Sequence, residues 1–354
     1  MKKKVFVGLS GGVDSSVAAY LLKKQNYDVV GVHLRCWNVN GCDEKEAEMA
    51  RRAAEHLDIP FYVLNLEKEY KKAVVDYMID GYKKGITPNP DVMCNKEIKF
   101  GIFLKKALEL GADYVATGHY VRLQRNLKFK ISNLKLLSAR DTQKDQSYFL
   151  WTLMQDQLKH SLFPIGDYTK KQVRAIAKKV GLPNFDKKDS QGICFIGQVT
   201  LKDFLGEYLP KHEGTVLNTE GVSIGRHDGA YFYTIGQRHG LGIGGFKSPT
   251  YVAERDVKAN TIVIAEGENN EALYRKEVEL TNVNLVSPVS NLKSPISVLA
   301  RVRYRQPVVK ATIYKLPTTN YKLEFDKPIK FIAPGQSAVF YSKNGELLGG
   351  GIII

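Results

Sequence analysis

The sequence predicts an α/β protein in three parts: a doubly wound parallel sheet, a small mainly β central domain, and a C-terminal β-barrel. Three observations lead there. Short apolar runs alternate with helical patterns through the first half of the chain. From about residue 214 the composition turns to glycine and short alternating segments. Beyond residue 270, strand-like runs recur at near-regular spacing, as a small closed sheet requires. The expected boundaries are 1–205, 206–270 and 271–354, and 354 residues suffice for a separate core in each part.

Taken in order, Val5-Phe6-Val7 reads as a buried first strand. Val17, Ala18, Leu21 and Leu22 mark the inward face of the helix after it. Residues 29–34 read as the second strand, 43–57 as a charged helix and 61–66 as the third strand. Residues 96–110 follow as a helix, and 113–117 as a strand ending at Gly118-His119. Ligands of such sheets sit outside the strand carboxyl ends, so the loops after Leu9, His33 and Thr117 should converge. Helical patterns cover 147–158, 169–180 and 201–208, the second stopped by Gly181-Leu182-Pro183. Residues 221–229 and 231–236 read as short central strands and 266–270 as a linker. Residues 297–304, 308–315, 321–325, 338–341 and 347–353 read as barrel strands. No repeats, low-complexity tracts or heptads are present.

Apolar residues make up 44% and charged residues 25%, ordinary values for a soluble globular chain. No apolar run approaches the roughly eighteen residues of a membrane span, and Met1-Lys2-Lys3-Lys4 leads straight into a strand. The expectation is a cytoplasmic protein with no membrane partner. The net charge of +15 suits a polyanionic partner, although solvated lysines alone also produce such a balance. Four cysteines are too few for a disulfide scaffold of this length.

The most informative segment is Gly8-Leu9-Ser10-Gly11-Gly12-Val13-Asp14-Ser15, between the first strand and its helix. Adjacent glycines let backbone N–H groups approach a ligand, and the helix N-terminus adds positive potential suited to phosphate. A Walker A loop needs Gly-Lys-Ser/Thr at its end, which is missing. A dinucleotide fingerprint needs G-x-G-x-x-G, also missing. What remains resembles the PP-loop of ATP pyrophosphatases, SGGxDS, and implies ATP.

Two cysteines sit in unusual settings. Cys94 follows Thr87-Pro88-Asn89-Pro90-Asp91-Val92-Met93, where two prolines suggest a stiff, non-helical loop. A helix is expected to open just after it, so its thiolate should be stabilised. Cys194 lies in the glycine turn Ser190-Gln191-Gly192-Ile193-Cys194-Phe195. With an ATP loop, a thiol carrying an extra sulfur is suited to displace AMP from an adenylated carbonyl, and a second thiol to resolve the product. Cys36 and Cys42 lack zinc-ligand spacing and read as packing thiols, so no metal site is expected.

SGGVDSS, NPDVMCN, ATGHY, KDQSYFL, SQGICFI, TIGQRHGLG, RYRQP and PGQSAVFY occur in that order from first strand to last. Together they resemble the bacterial tRNA-specific 2-thiouridylase family (MnmA/TrmU), whose members modify the wobble uridine of certain tRNAs. The resemblance implies that Gly8 through Ser15 hold ATP, with Leu34 and Gly118 beside the nucleotide. It implies that Asn89, Pro90 and Asp91 contact the target uridine, Asp91 being a candidate proton-transfer group. Cys194 would carry a persulfide and Cys94 would be its disulfide partner. His119, Lys144, Asp145, Gln146, Arg303, Tyr304 and Gln336 match positions that touch tRNA. A persulfide donor or relay protein is the implied second partner. Phosphate chemistry of this kind also suggests Mg²⁺.

The residues themselves add that Arg301, Arg303 and Arg305 would share one strand face, a row suited either to RNA backbone or simply to solvent. Two other classes fit parts of the chain. A ligase delivering nitrogen to a small acid explains the PP-loop but leaves both cysteines idle. An ATP-responsive RNA-binding module explains the charge and predicts dispensable thiols. An iron–sulfur cluster on Asp91, Cys94 and Cys194 ranks below the persulfide route, because four cysteines are the usual ligand set.

Overall fold

The computed structural model describes residues 2–36, 42–125, 134–188, 199–286 and 295–354. Its first sheet contains β1 (Lys4–Gly8), β2 (Asp28–Arg35), β3 (Phe61–Asn65), β4 (Tyr114–Ala116) and, after the hairpin β5 (Val121–Arg125) and β6 (Leu134–Ser138), β7 (Ser161–Leu162). The order is β3-β2-β1-β4-β7 and every pairing is parallel. Alternation along β1 divides the core. Val5 and Val7 face α1 (Val13–Lys24), α2 (Cys42–His56) and the Lys170–Val180 helix, while Phe6 faces Phe100, Phe103 and Leu104. Helices on both faces make the sheet doubly wound. The chain runs outward from β1 to β3 and then crosses back to β4. The switch point therefore lies between the carboxyl ends of β1 and β4.

Thr169 caps the Lys170–Val180 helix through its side chain, and Gly181 closes it at φ 75°, as the sequence signals require. Three expectations need correction. Residues 89–94 are not a non-helical loop. A helix runs unbroken through Pro90–Met93, Cys94–Phe103 and Leu104–Glu109. Pro90 occupies the first helical position, where its missing N–H costs nothing. Asn89 caps the turn, its Oδ1 accepting from Val92 N at 3.2 Å. The 147–158 segment is not one helix but a short turn, Ser147–Phe149, and a separate helix, Gln155–Lys159. Tyr148 and Trp151 turn away to donate to the Ser337 carbonyl and hydroxyl, which breaks the helical run. Residues 231–236 are not a strand; Ala230–Phe232 forms a 3₁₀ turn, and Gly236 reverses the chain at φ 81°.

The central sheet joins β8 (Gly214–Asn218), β9 (Ser223–His227), β10 (Thr250–Asp256) and β11 (Thr261–Glu266) in the order β10-β11-β8-β9. The last part is a closed barrel of β12 (Tyr274–Leu285), β13 (Ile296–Arg301), β14 (Val309–Lys315), β15 (Tyr321–Lys330), β16 (Ser337–Tyr341) and β17 (Leu347–Ile353). Leu323, Phe325, Phe340 and Ile353 fill it. The arginine row does not form. β13 ends at Arg301, and Arg305 lies beyond it at φ 65°, so alternation no longer relates the three side chains.

Candidate functional site

The cradle is built by the turn after β1. Gly11 adopts φ 74°, and a Cβ there would lie 2.5 Å from the Glu46 carbonyl oxygen, so only glycine fits against α2. The Ser15 and Ser16 hydroxyls both donate to Gly12 O at 3.1 Å and close the turn. The first intrahelical bond runs from Ser16 N to Gly12 O. The amides of Val13, Asp14 and Ser15 precede it and point out of the helix N-terminus, where the dipole favours an anion. The loop after β4 meets them. A Cβ on Gly118 would sit 2.6 Å from Ser15 N. The loop after β2 arrives through buried His33, bridging Leu9 O at 3.0 Å and Asp43 Oδ1 at 3.1 Å. Half-buried Leu34 follows it. The three loops converge as the topology requires.

Several residues hold this cradle without any sequence signal marking them. Asp14 is gripped by Lys170 Nζ, 2.8 Å from each carboxylate oxygen, and by the Tyr120 hydroxyl at 2.8 Å. Asn184 donates to Gly11 O and Ser16 Oγ at 3.0 Å, and Lys187 pairs with Glu46 at 2.6 Å. All lie far from the loop in sequence, which is why no motif shows them.

The second half of the site is the start of the Pro90 helix. Asn89 and Pro90 are buried and Asp91 is half-buried. Cys94 is buried among Tyr70, Ile98, Phe204 and Leu241, with Cys36 at the margin of the same cluster. Burial pushes the Cys94 thiol up. Lys99 and a hydrogen bond with Tyr70 pull the other way without overcoming it. The expected stabilised thiolate is therefore corrected: the helix opens at Pro90 rather than just after Cys94, and burial raises the thiol.

The two halves meet where Phe100 of the Pro90 helix packs on His119, ring centroids 6.1 Å apart, next to Lys99. Lys99 acts electrostatically on Cys94 and also on His119, which directly follows Gly118. His119 is buried against Phe100 and Phe163, with Nδ1 2.7 Å from Thr117 Oγ1. Burial first, and Lys99 second, hold its pKa well below the usual value, so its ring is neutral. Cys194 lies outside the described residues, as do the rest of 189–198. On one side of that stretch Lys187 rests on the cradle; on the other, Val199 packs against the Cys94 cluster.

Asp145, Arg303, Tyr304 and Gln336 fall on the seams between domains. Asp145 is buried and fully used, accepting from Ala139 N at 3.0 Å, Ser147 Oγ at 2.9 Å and Arg301 at 2.5 Å. The Tyr341 hydroxyl completes this network, and burial pushes it up to about 12. Gln146 exchanges bonds with the Tyr120 backbone, while Lys144 beside it is partly exposed. Arg303 donates to Ile235 O, and Tyr304 packs on Phe149 with ring centroids 4.4 Å apart. Gln336 donates to Thr87 O and Pro88 O, at 3.0 and 3.3 Å. Among the described residues no group of three His, Cys, Asp or Glu side chains is placed to hold a metal ion. No described helix is long and apolar enough to cross a membrane.

Residues 3–198 match the family model described as tRNA methyl transferase HUP domain. Residues 202–266 match the tRNA methyl transferase PRC-barrel domain, and 275–353 the aminomethyltransferase beta-barrel domain. The chain is 48% identical over 356 residues to tRNA-specific 2-thiouridylase MnmA 2 of Geobacillus kaustophilus (strain HTA426), covering 99% of this chain and 94% of that protein. It is 47% identical to tRNA-specific 2-thiouridylase MnmA of Geobacillus thermodenitrificans (strain NG80-2), with the same coverage. It is 46% identical to the MnmA of Listeria monocytogenes serovar 1/2a, again over 99% and 94%.

Proposed function

Because the chain belongs to the tRNA-specific 2-thiouridylase family, we propose that it is an ATP-dependent tRNA-uridine 2-sulfurtransferase. Its substrates are ATP, the wobble uridine of certain tRNAs and a persulfide delivered by a donor protein, in the cytoplasm. One structural observation carries this reading. Gly118 packs on Ser15 of the phosphate cradle, and the next residue, His119, packs on Phe100 of the helix that carries Cys94, which supports one site for nucleotide and thiol.

The chemistry follows from what each group offers. Uridine O2 is a poor leaving group, so it first attacks the α-phosphorus of ATP and pyrophosphate departs. The amides of Val13, Asp14 and Ser15 receive the phosphate charge. Asn89, Pro90 and Asp91 hold the splayed base, Asp91 being placed to manage its proton. The terminal sulfur of a Cys194 persulfide then bonds to C2, and AMP leaves with the former O2. The Cys94 thiolate attacks Cys194 Sγ and breaks the S–S bond. Sulfur stays on C2, and a Cys94–Cys194 disulfide remains for an external thiol to reduce. Mg²⁺ in such sites is usually held by one or two carboxylates together with substrate phosphates. Asp14 is the carboxylate of the cradle, and its pairing with Lys170 would have to open for it to hold the ion, which would screen phosphate charge. Methyl transfer, the activity in the family-model descriptions, fits less well. A methyl donor brings its own leaving group and needs neither ATP nor a thiol.

The test is to incubate the protein with tRNA, ATP and a persulfide donor, then digest the tRNA. Nucleosides containing 2-thiouridine, with AMP and pyrophosphate formed in step, are expected. Cys94→Ser and Cys194→Ser should each abolish thiolation, and mass spectrometry should find one extra sulfur on the Cys194 peptide. Wild-type protein that leaves tRNA free of sulfur overturns the proposal.

A further inference from the structure

Residues 85–90 are gripped by all three domains at once. From the barrel side, Thr87 N donates to Pro334 O at 2.7 Å, and Gln336 holds the next two carbonyls. A Cβ on Gly335 would lie 2.9 Å from Thr87 N, so the two backbones touch. From the central domain, one Arg255 nitrogen donates to Gly85 O at 2.6 Å and to Thr87 Oγ1 at 3.2 Å, while the other donates to Tyr233 O. Two residues later Asn89 caps the helix that carries Asp91 and Cys94.

Arg255 is an odd residue to find there. Among the described residues it has no carboxylate partner, and its Nε is sealed from solvent without any acceptor. Enclosing a guanidinium this way is costly, and desolvation pulls its pKa down to about 10. Packing of the central sheet does not require it, since Tyr251, Val252 and Ala253 already supply the buried side chains of β10. The β10–β11 ladder slips between Val252 and Glu254, a bulge of the kind that re-aims the side chains after it. What the guanidinium gains is a fork that spans two domains, a geometry lysine lacks.

We propose that Arg255 is a positioning residue: from the central domain it clamps residues 85–87, and so fixes where Asn89 and Asp91 stand against the uridine. The clamp is read directly from contacts, whereas its use on a uridine rests on the sulfurtransferase reading above.

The experiment uses the full chain with Arg255→Met, Arg255→Lys and, from the other side of the clamp, Thr87→Val. Hydrogen exchange of the peptide spanning 82–89 is compared with that of β10 and β11. The amides of Gly85, Ile86 and Thr87 are all hydrogen-bonded in the native protein and serve as reporters. Arg255→Met should speed their exchange about tenfold while β10 and β11 stay protected. It should lower kcat for thiolation about a hundredfold, as misplacement of a reacting group does, with the KM for ATP unchanged. Arg255→Lys should fall between, and Thr87→Val should loosen the same peptide to a smaller degree. Unchanged exchange in 82–89, or loss of protection spread equally through β10 and β11, overturns the proposal. If wild-type protein makes no 2-thiouridine, the functional reading fails, and the exchange data still decide the clamp.

Discussion

The cradle and the Asn89–Cys94 helix start are built on different principles. The turn from Leu9 to Ser15 is closed from within by hydroxyl bonds three to five positions along the chain, and its outside braces, Lys170, Asn184 and Lys187, belong to the same domain. The Asn89 segment is held from outside, by Arg255 across 170 positions and by Gln336 across 249. A site whose geometry is local survives damage elsewhere and is written in a motif. A composite site depends on domain docking, and its supports are scattered through the sequence.

Breaking the docking should separate the two most strongly. Arg301→Met leaves Asp145 buried without its cation, a change that costs about 3–5 kcal/mol for pairs of this kind. Denaturant unfolding should register that loss. Below the transition, thiolation should collapse while ATP binding stays near wild type, because the barrel supports residues 87–88 and not the cradle. ATP affinity falling in parallel with thiolation would erase the distinction.

The converse change is Gly118→Ala. Its Cβ would strike Ser15 N at 2.6 Å, and overpacking against backbone costs roughly 1–3 kcal/mol. Calorimetry should show ATP binding weakened about ten- to a hundredfold. Hydrogen exchange in the Pro90 helix should stay as it is. Nucleotide affinity equal to wild type would mean that the loop after β4 does not set the cradle.

The same contrast explains what was legible in the sequence. The glycines at 11 and 12, the β–α alternation and the barrel strands follow from backbone rules that act within a few residues, and the sheet and barrel form as those rules imply. Pro90 misled because proline blocks a helix interior but favours its first position; the capping Asn89 was the signal that separates the two. The arginine row failed because alternation holds only while the strand lasts, and β13 stops at Arg301. Lys170, Asn184, Lys187 and Arg255 could not be read, since each acquires its meaning from a partner brought near by folding.

Cys94 shows this most clearly, and its reactivity offers a gentler test. With burial raising the thiol above its ordinary value, Cys94 rests as the thiol at neutral pH. Alkylation of Cys94 in the free enzyme should be slow and should keep rising through pH 9 without levelling. A plateau near neutrality would mean that burial does not govern the thiol.

His119 stands between the two regions, beside Gly118 on one side and under the field of Lys99 on the other. In the folded protein it stays neutral well below pH 6.5, whereas in the unfolded chain it takes up a proton there. The unfolded state then binds more protons, so stability is lost as pH falls, by about 1 kcal/mol at pH 5.5. Unfolding of wild type and His119→Gln at pH 7.5 and 5.5 isolates that contribution, because other titrating groups are shared. Wild type should lose about 1 kcal/mol more than the variant. Equal losses would mean that His119 is protonated in the native protein and placed to act as a cation. In that case tRNA affinity should also rise on acidification through His119. With the ring buried and neutral, its contribution to RNA binding should not change between pH 6 and 8.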